Sequence, residues 1–129
     1  MSHRFPYDQG FDPPAPVLPL RWRHPRTSAA VLVPMLVDTG ADRTLLPERI
    51  AHQLSLPAVA RAIVERVEGR SGVSTVYAAM IEGAGLKALV RVIGDGTEAR
   101  LGRDLLARLT VRLDGPAQQL GTGRSSRRA

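Results

Sequence analysis

The chain has no cysteine, and in 129 residues it has only one tryptophan, two tyrosines and two phenylalanines. Without cysteine there is no disulfide framework and no thiolate metal site. Aromatic residues at 4% are too few for a base-stacking platform, which argues against nucleic acid as a partner. Lysine is almost missing too: Lys87 stands alone against seventeen arginines. That imbalance reads as a bias of composition, not as a surface built for a polyanion. No apolar run approaches the roughly 20 residues of a membrane-spanning helix. The opening Met1-Ser2-His3-Arg4-Phe5-Pro6 lacks the apolar core of a secretory signal. A cytoplasmic location is expected. His3, His24 and His52 are far apart, and Glu48 with His52 lacks the further ligand of a zinc motif, so no metal is expected.

What is present suits one small domain. The chain is 43% hydrophobic and 23% charged, with 12 Gly and 10 Pro, a composition of short strands and many turns. The formal charge of +6 sits mostly in the flanks. Residues 29–115 carry eleven Lys or Arg against ten acids, whereas the two ends together carry seven Arg against two acids. A near-neutral domain with basic ends is the simpler reading, ahead of an accessory protein whose Arg124, Arg127 and Arg128 touch nucleic acid.

Taken in order, residues 1–19 form a proline-rich arm that includes Pro13-Pro14 and Pro16. Proline has no N–H and a fixed φ, so an extended arm outside any central sheet is expected. Leu18, Leu20 and Trp22 alternate with Arg21 and Arg23, the period of a half-buried strand. A second strand spans residues 29–37, with Pro34 marking a bend or an edge. Pro47 and Glu48 open a short helix whose Ile50 and Leu54 face the core together. Residues 63–68 and 73–81 read as a hairpin tipped by Gly69-Arg70-Ser71-Gly72. A further strand covers 86–93, a short helix begins at Asp104, and residues 110–114 alternate as a last strand. Residues 116–129 offer little to bury and read as a disordered basic tail. The sum is an all-β domain over 20–115 with one or two short helices.

The stretch that carries chemistry is Leu36-Val37-Asp38-Thr39-Gly40-Ala41-Asp42. An apolar strand ends abruptly in a carboxylate, a hydroxyl and a glycine. A charge delivered to the end of a buried strand must share a proton or accept hydrogen bonds from backbone N–H groups. Gly40, without a Cβ, lets backbone approach it closely. On its own such a string is ordinary turn chemistry. About sixty residues later comes Leu101-Gly102-Arg103-Asp104-Leu105-Leu106, ahead of the last strand.

Asp38-Thr39-Gly40-Ala41-Asp42, the Gly-tipped hairpin and the Leu101 to Leu106 segment together resemble the retropepsin-like (retroviral-type) aspartic proteases. The resemblance implies a single-lobe, closed β-barrel, and the chain is too short for the two lobes of a pepsin-like enzyme. It implies that Asp38 is the catalytic aspartate and that Thr39 buttresses it across a subunit interface. Gly40, Ala41 and Asp42 would bind substrate backbone, and Asp42 would pair with Arg103. Gly69, Arg70, Ser71 and Gly72 would form the flap over a bound peptide. Two departures stand out: Arg43 occupies a position where an acid or small polar residue is often found, and Ala99-Arg100 is less apolar than usual.

Only one Asp-Thr-Gly is present. Hydrolysis by this chemistry needs two carboxylates around one water, so the resemblance implies a homodimer pairing Asp38 with its copy and needing no cofactor. The expected activity is an aspartic endopeptidase acting on a peptide or protein substrate. The alternative is a catalytically silent peptide-binding or dimerisation module of the same fold.

Overall fold

The computed structural model describes residues 3–65 and 71–123. Strand β1 (His3–Pro6) is followed by β2 (Val17–Arg23) and β3 (Ala30–Val37). Leu18, Leu20 and Trp22 of β2 are fully buried, as the alternation requires, and Val33 and Met35 of β3 lie against them. The two strands are antiparallel and set Pro19 opposite Pro34. Val37 N–H donates toward β2, to Pro16 O, while Leu36 N–H donates the other way, to Ala99 O. By alternation, the N–H that Pro34 lacks would point away from β2, where the next ladder begins only at Leu36. The proline therefore costs β3 no bond and marks an edge.

Next come β4 (Leu45–Leu46), α1 (Glu48–Gln53), β5 (Ala58–Glu65), β6 (Ser71–Gly83) and β7 (Leu86–Gly94). Pro47 precedes α1, where a missing N–H is harmless, and Glu48 stands in its first turn. Ile50, Ala51 and Leu54 turn into the core. Glu48 also accepts a hydrogen bond at 2.9 Å from the Tyr77 hydroxyl. Burial, and then that carboxylate, push the Tyr77 phenol above its ordinary range. The chain closes with β8 (Arg100–Leu101), α2 (Arg103–Leu106), β9 (Thr110–Asp114) and β10 (Gln119–Gly123).

The main sheet runs β2-β3-β8-β4-β7-β6-β5, and an additional pairing of β2 with β6 closes it on itself. Trp22 meets Ile81 across that seam, and both are fully buried. The β5–β6 hairpin extends beyond the barrel with Ile63 opposite Val73 and Glu65 opposite Ser71. Three segments differ from the sequence expectation. The arm expected over residues 1–19 outside any central sheet gives Val17, Leu18 and Pro19 to β2, where they pair with Leu36, Met35 and Pro34 of β3, and its start forms the paired strand β1. β5 starts at Ala58, earlier than the expected residue 63, because cross-strand pairing with β6 recruits Ala58 and Ala60, whose own strand preference is low. The tail expected to be disordered from residue 116 instead turns back at Asp114–Gln118 and forms β10.

That turn is made by Ala117 N–H donating to Asp114 Oδ1 and Gln118 N–H donating to Gly115 O. β10 lies between β1 and β9 in a three-stranded sheet, so the two ends of the chain pair with each other. Pro6 sits at the edge of this sheet, where its missing N–H is tolerated. Leu120 is the reason the strand forms: one apolar side chain, fully buried, docks the whole segment onto the core. Leu120→Ala is expected to cost about 2 kcal/mol, the low end for a buried leucine, because β10 lies in the small three-stranded sheet, which can settle toward the vacated space. Urea denaturation checks it; a midpoint equal to that of the parent protein would show that β10 is held by backbone pairing alone.

Candidate active site

Asp38 is placed by the end of β3. Its backbone N–H donates to Leu101 O at 3.0 Å, continuing the parallel β3–β8 ladder by one residue. Its own carbonyl accepts from Ala41 N–H at 3.2 Å, which turns the chain through Thr39 and Gly40. Gly40 N–H donates to Asp38 Oδ1 at 3.0 Å. The bond demands close approach: a Cβ on Gly40 would sit 3.2 Å from that same oxygen. The sequence requirement for a backbone donor to a strand-end carboxylate is thus met locally. The other oxygen, Oδ2, accepts at 3.0 Å from Arg100 Nη1. The Asp38 side chain is 24% exposed, open enough to be approached.

Behind the acid, the loop over residues 38–44 is locked to the segment that begins at Gly102. Thr44, fully buried, donates its hydroxyl to Asp104 Oδ1 at 2.7 Å and its N–H to Asp104 Oδ2 at 3.2 Å. The same hydroxyl oxygen accepts from Gly102 N–H at 3.0 Å, and Asp104 Oδ1 also accepts from Leu105 N–H. Every polar atom of this small network has a partner, as burial requires. Arg103 N–H donates to Ala41 O at 2.8 Å, and Asp104 N–H to Asp42 O at 3.3 Å. Two distant sequence motifs are therefore one structural unit.

One expected contact is not made. Arg103 was expected to pair with the Asp42 carboxylate, but its Nη1 donates to Thr39 O at 2.6 Å. The reason is geometric and electrostatic: the α2 start places the guanidinium beneath the turn, where a carbonyl awaits a donor, while the exposed Asp42 side chain keeps its charge in water. The Asp104 carboxylate, together with Thr44, does the tying that Asp42 was expected to do. Thr39 and Gly40 are exposed and Ala41 is half-buried. Of the hairpin-tip residues, Ser71 is exposed at the start of β6 and Gly72 is half-buried opposite Val64. Gly69 and Arg70 lie outside the described residues.

The residue that sequence reasoning did not place in the site is Arg100. It was visible only as a charge in a strand expected to be apolar. Its Nε donates to Glu98 Oε2 at 2.8 Å and its Nη2 donates to that oxygen as well. The Glu98 hydrogen bond raises the Arg100 guanidinium above its ordinary value; burial opposes this, and the Glu98 and Asp38 charges add to the rise. Among the described residues, Arg100 is the one side chain tied to Asp38. The chain thus presents one approachable carboxylate, oriented at both oxygens, at the end of a barrel strand. Such a group can serve as a general base or acid, but for water activation between two acids it is half of a site.

A family model described as aspartyl protease matches residues 30–94, half of the chain. The matched span includes Asp38, the helix α1 and the β5–β6 hairpin. The fold is similar to the crystal structure of a retropepsin-like aspartic protease from Rickettsia conorii, with a TM-score of 0.61, 16% identity, and coverage of 95% of this chain and 91% of that one. At that identity the likeness is one of fold, and it makes the closed single-lobe barrel described above a retropepsin-like one. The retroviral protease-like domain of Ddi1 from Leishmania major matches with a TM-score of 0.47 and 22% identity over 78% of this chain and 82% of that one. No curated protein sequence matches the chain.

Proposed function

The chain belongs to the aspartyl protease family, and from that premise we propose that it is an aspartic endopeptidase working as a homodimer. The observation that carries the proposal is that each chain brings one carboxylate of the required kind. Asp38 ends a buried strand with backbone and guanidinium donors on its two oxygens, and no second Asp-Thr-Gly exists to meet it. A twofold axis beside Asp38 supplies the missing acid from a second copy. The two then titrate as a unit. The ionised member takes a proton from water as that water attacks the scissile carbonyl, and the protonated member donates to the carbonyl oxygen.

The hairpin supplies surface for an extended peptide. Ile63 and Val73, cross-strand partners on it, are 78% and 65% exposed, an apolar pair in want of cover. A substrate strand laid along the hairpin would gain main-chain hydrogen bonds and bury such side chains at alternate positions. Gly40, Ala41 and Asp42 would meet the substrate backbone beside the acid, and Thr39 would buttress Asp38 across the subunit interface. Gly69, Arg70, Ser71 and Gly72 would close over it.

A dilution series of the cleavage assay, run beside sedimentation equilibrium, tests the dimer. Activity per chain is expected to fall in step with the dimer fraction, dropping about tenfold once monomer predominates tenfold. Constant activity per chain across that transition, or a protein that is active as a monomer, would overturn the half-site reading.

A further inference from the structure

Nothing in a two-carboxylate hydrolysis calls for an arginine on one of the acids, yet Arg100 is firmly built into this position. Its backbone lies in β8, flanked by Leu36 of β3 and Leu45 of β4. Its side chain is held from behind by Glu98 through Nε and Nη2, which leaves Nη1 to reach Asp38 Oδ2 at 3.0 Å. A guanidinium has the planar fork to bridge two carboxylates at once, which an ammonium lacks. Among the described residues, the other charged groups of the two motifs are engaged elsewhere or turned to water: Arg103 on Thr39 O, Asp104 on Thr44, Asp42 exposed. Among the described residues, Arg100 alone faces the Asp38 charge.

We propose that Arg100, steadied by Glu98, is a positioning residue that acts as the counterion of Asp38 when two chains pair. The proposal rests on the dimeric reading above. Two Asp38 carboxylates brought together across an axis repel each other, and like charges juxtaposed at an interface oppose association. A protomer that carries its own guanidinium on its own acid brings a compensated charge to the axis. At encounter two arginines stand against two aspartates and hold the acids in orientation as they approach; once paired, the two acids share the single proton that the hydrolysis needs. Glu98, more than half exposed, stays on the far side of Arg100 and keeps the fork aimed.

A double-mutant cycle on dimerisation tests this independently of cleavage. Sedimentation equilibrium at neutral pH is run on the full chain and on Arg100→Gln, Arg100→Lys, Asp38→Asn and the double variant Arg100→Gln/Asp38→Asn. Arg100→Gln is expected to raise the dimer dissociation constant roughly ten- to hundredfold. Arg100→Lys is expected to recover only part of that loss, because it restores the charge but not the fork that Glu98 holds in place. In the Asp38→Asn background the acid has no charge to compensate, and removing Arg100 is expected to change the constant by about twofold or less. Equal costs in both backgrounds would assign Arg100 to packing and overturn the proposal. So would an Arg100→Gln variant that dimerises as tightly as the parent. Should Arg100→Gln fail to fold by circular dichroism, Arg100→Met takes its place in the same cycle. A parent protein that never dimerises overturns the dimeric reading itself, an outcome distinct from a dimer indifferent to Arg100.

Discussion

Asp38→Asn will fold and dimerise but will lose peptide cleavage, by about a thousandfold or more. Asparagine keeps an oxygen to accept the Gly40 N–H, and the backbone bonds of Asp38 to Leu101 and Ala41 are untouched. What the amide cannot do is exchange a proton with water or with a carbonyl oxygen. General acid–base catalysis by one positioned group contributes about 10²–10⁴-fold, and here the same substitution removes the base from one protomer and the acid from the other. Mixing adds a sharper test. Subunits exchanged at random in equal amounts leave only about a quarter of the dimers with two Asp38 residues. Activity should therefore fall to about a quarter although half of the chains are unaltered, provided a dimer with one Asp38 is dead. Activity that falls only to a half would mean each chain works alone, and cleavage surviving Asp38→Asn would remove Asp38 from the chemistry altogether.

The parts of the molecule that were legible in the sequence are those written in local pattern. Leu18, Leu20 and Trp22 announced β2 by their alternation, and all three are fully buried. Asp38, Thr39 and Gly40 announced a carboxylate met by backbone, and Gly40 N–H is that donor. What local pattern does not contain is partner choice across the chain. Asp42 and Asp104 are both acids near Arg103, and only the folded geometry tells that Thr44 takes Asp104 while Arg103 turns to a carbonyl. Arg100 was seen as a departure from an apolar run, but a charge two residues from another charge says nothing of a third residue sixty-two positions earlier. Leu120 shows the same limit at the fold level. One leucine among glycines and glutamines carries no periodicity, and it takes the docking surface provided by the core to make a strand of it.

The largest expected effect on stability comes from Gly102, where the two motifs touch. A Cβ built there would lie 2.5 Å from the carbonyl carbon and oxygen of Arg43 and 2.9 Å from Thr44 N. Those atoms are backbone, not the ends of flexible side chains, so the loop over residues 38–44 must move away as a body. Moving it breaks the Gly102 N–H bond to Thr44 Oγ1 and strains the two bonds from Thr44 to Asp104. Overpacking a fitted site typically costs about 1–3 kcal/mol, and each hydrogen bond lost from a buried network adds about 1 kcal/mol. Gly102→Ala is accordingly expected to cost about 4 kcal/mol, enough to lower the melting temperature by about 15 °C in a domain of this size. Gly115→Ala is the control, since a methyl group there meets nothing within 4 Å; it should melt within about 0.5 kcal/mol of the parent. If Gly102→Ala melted like Gly115→Ala, the close approach of the two motifs would not exist in solution. The acid at Asp38 would then lack the rigid floor on which its orientation depends.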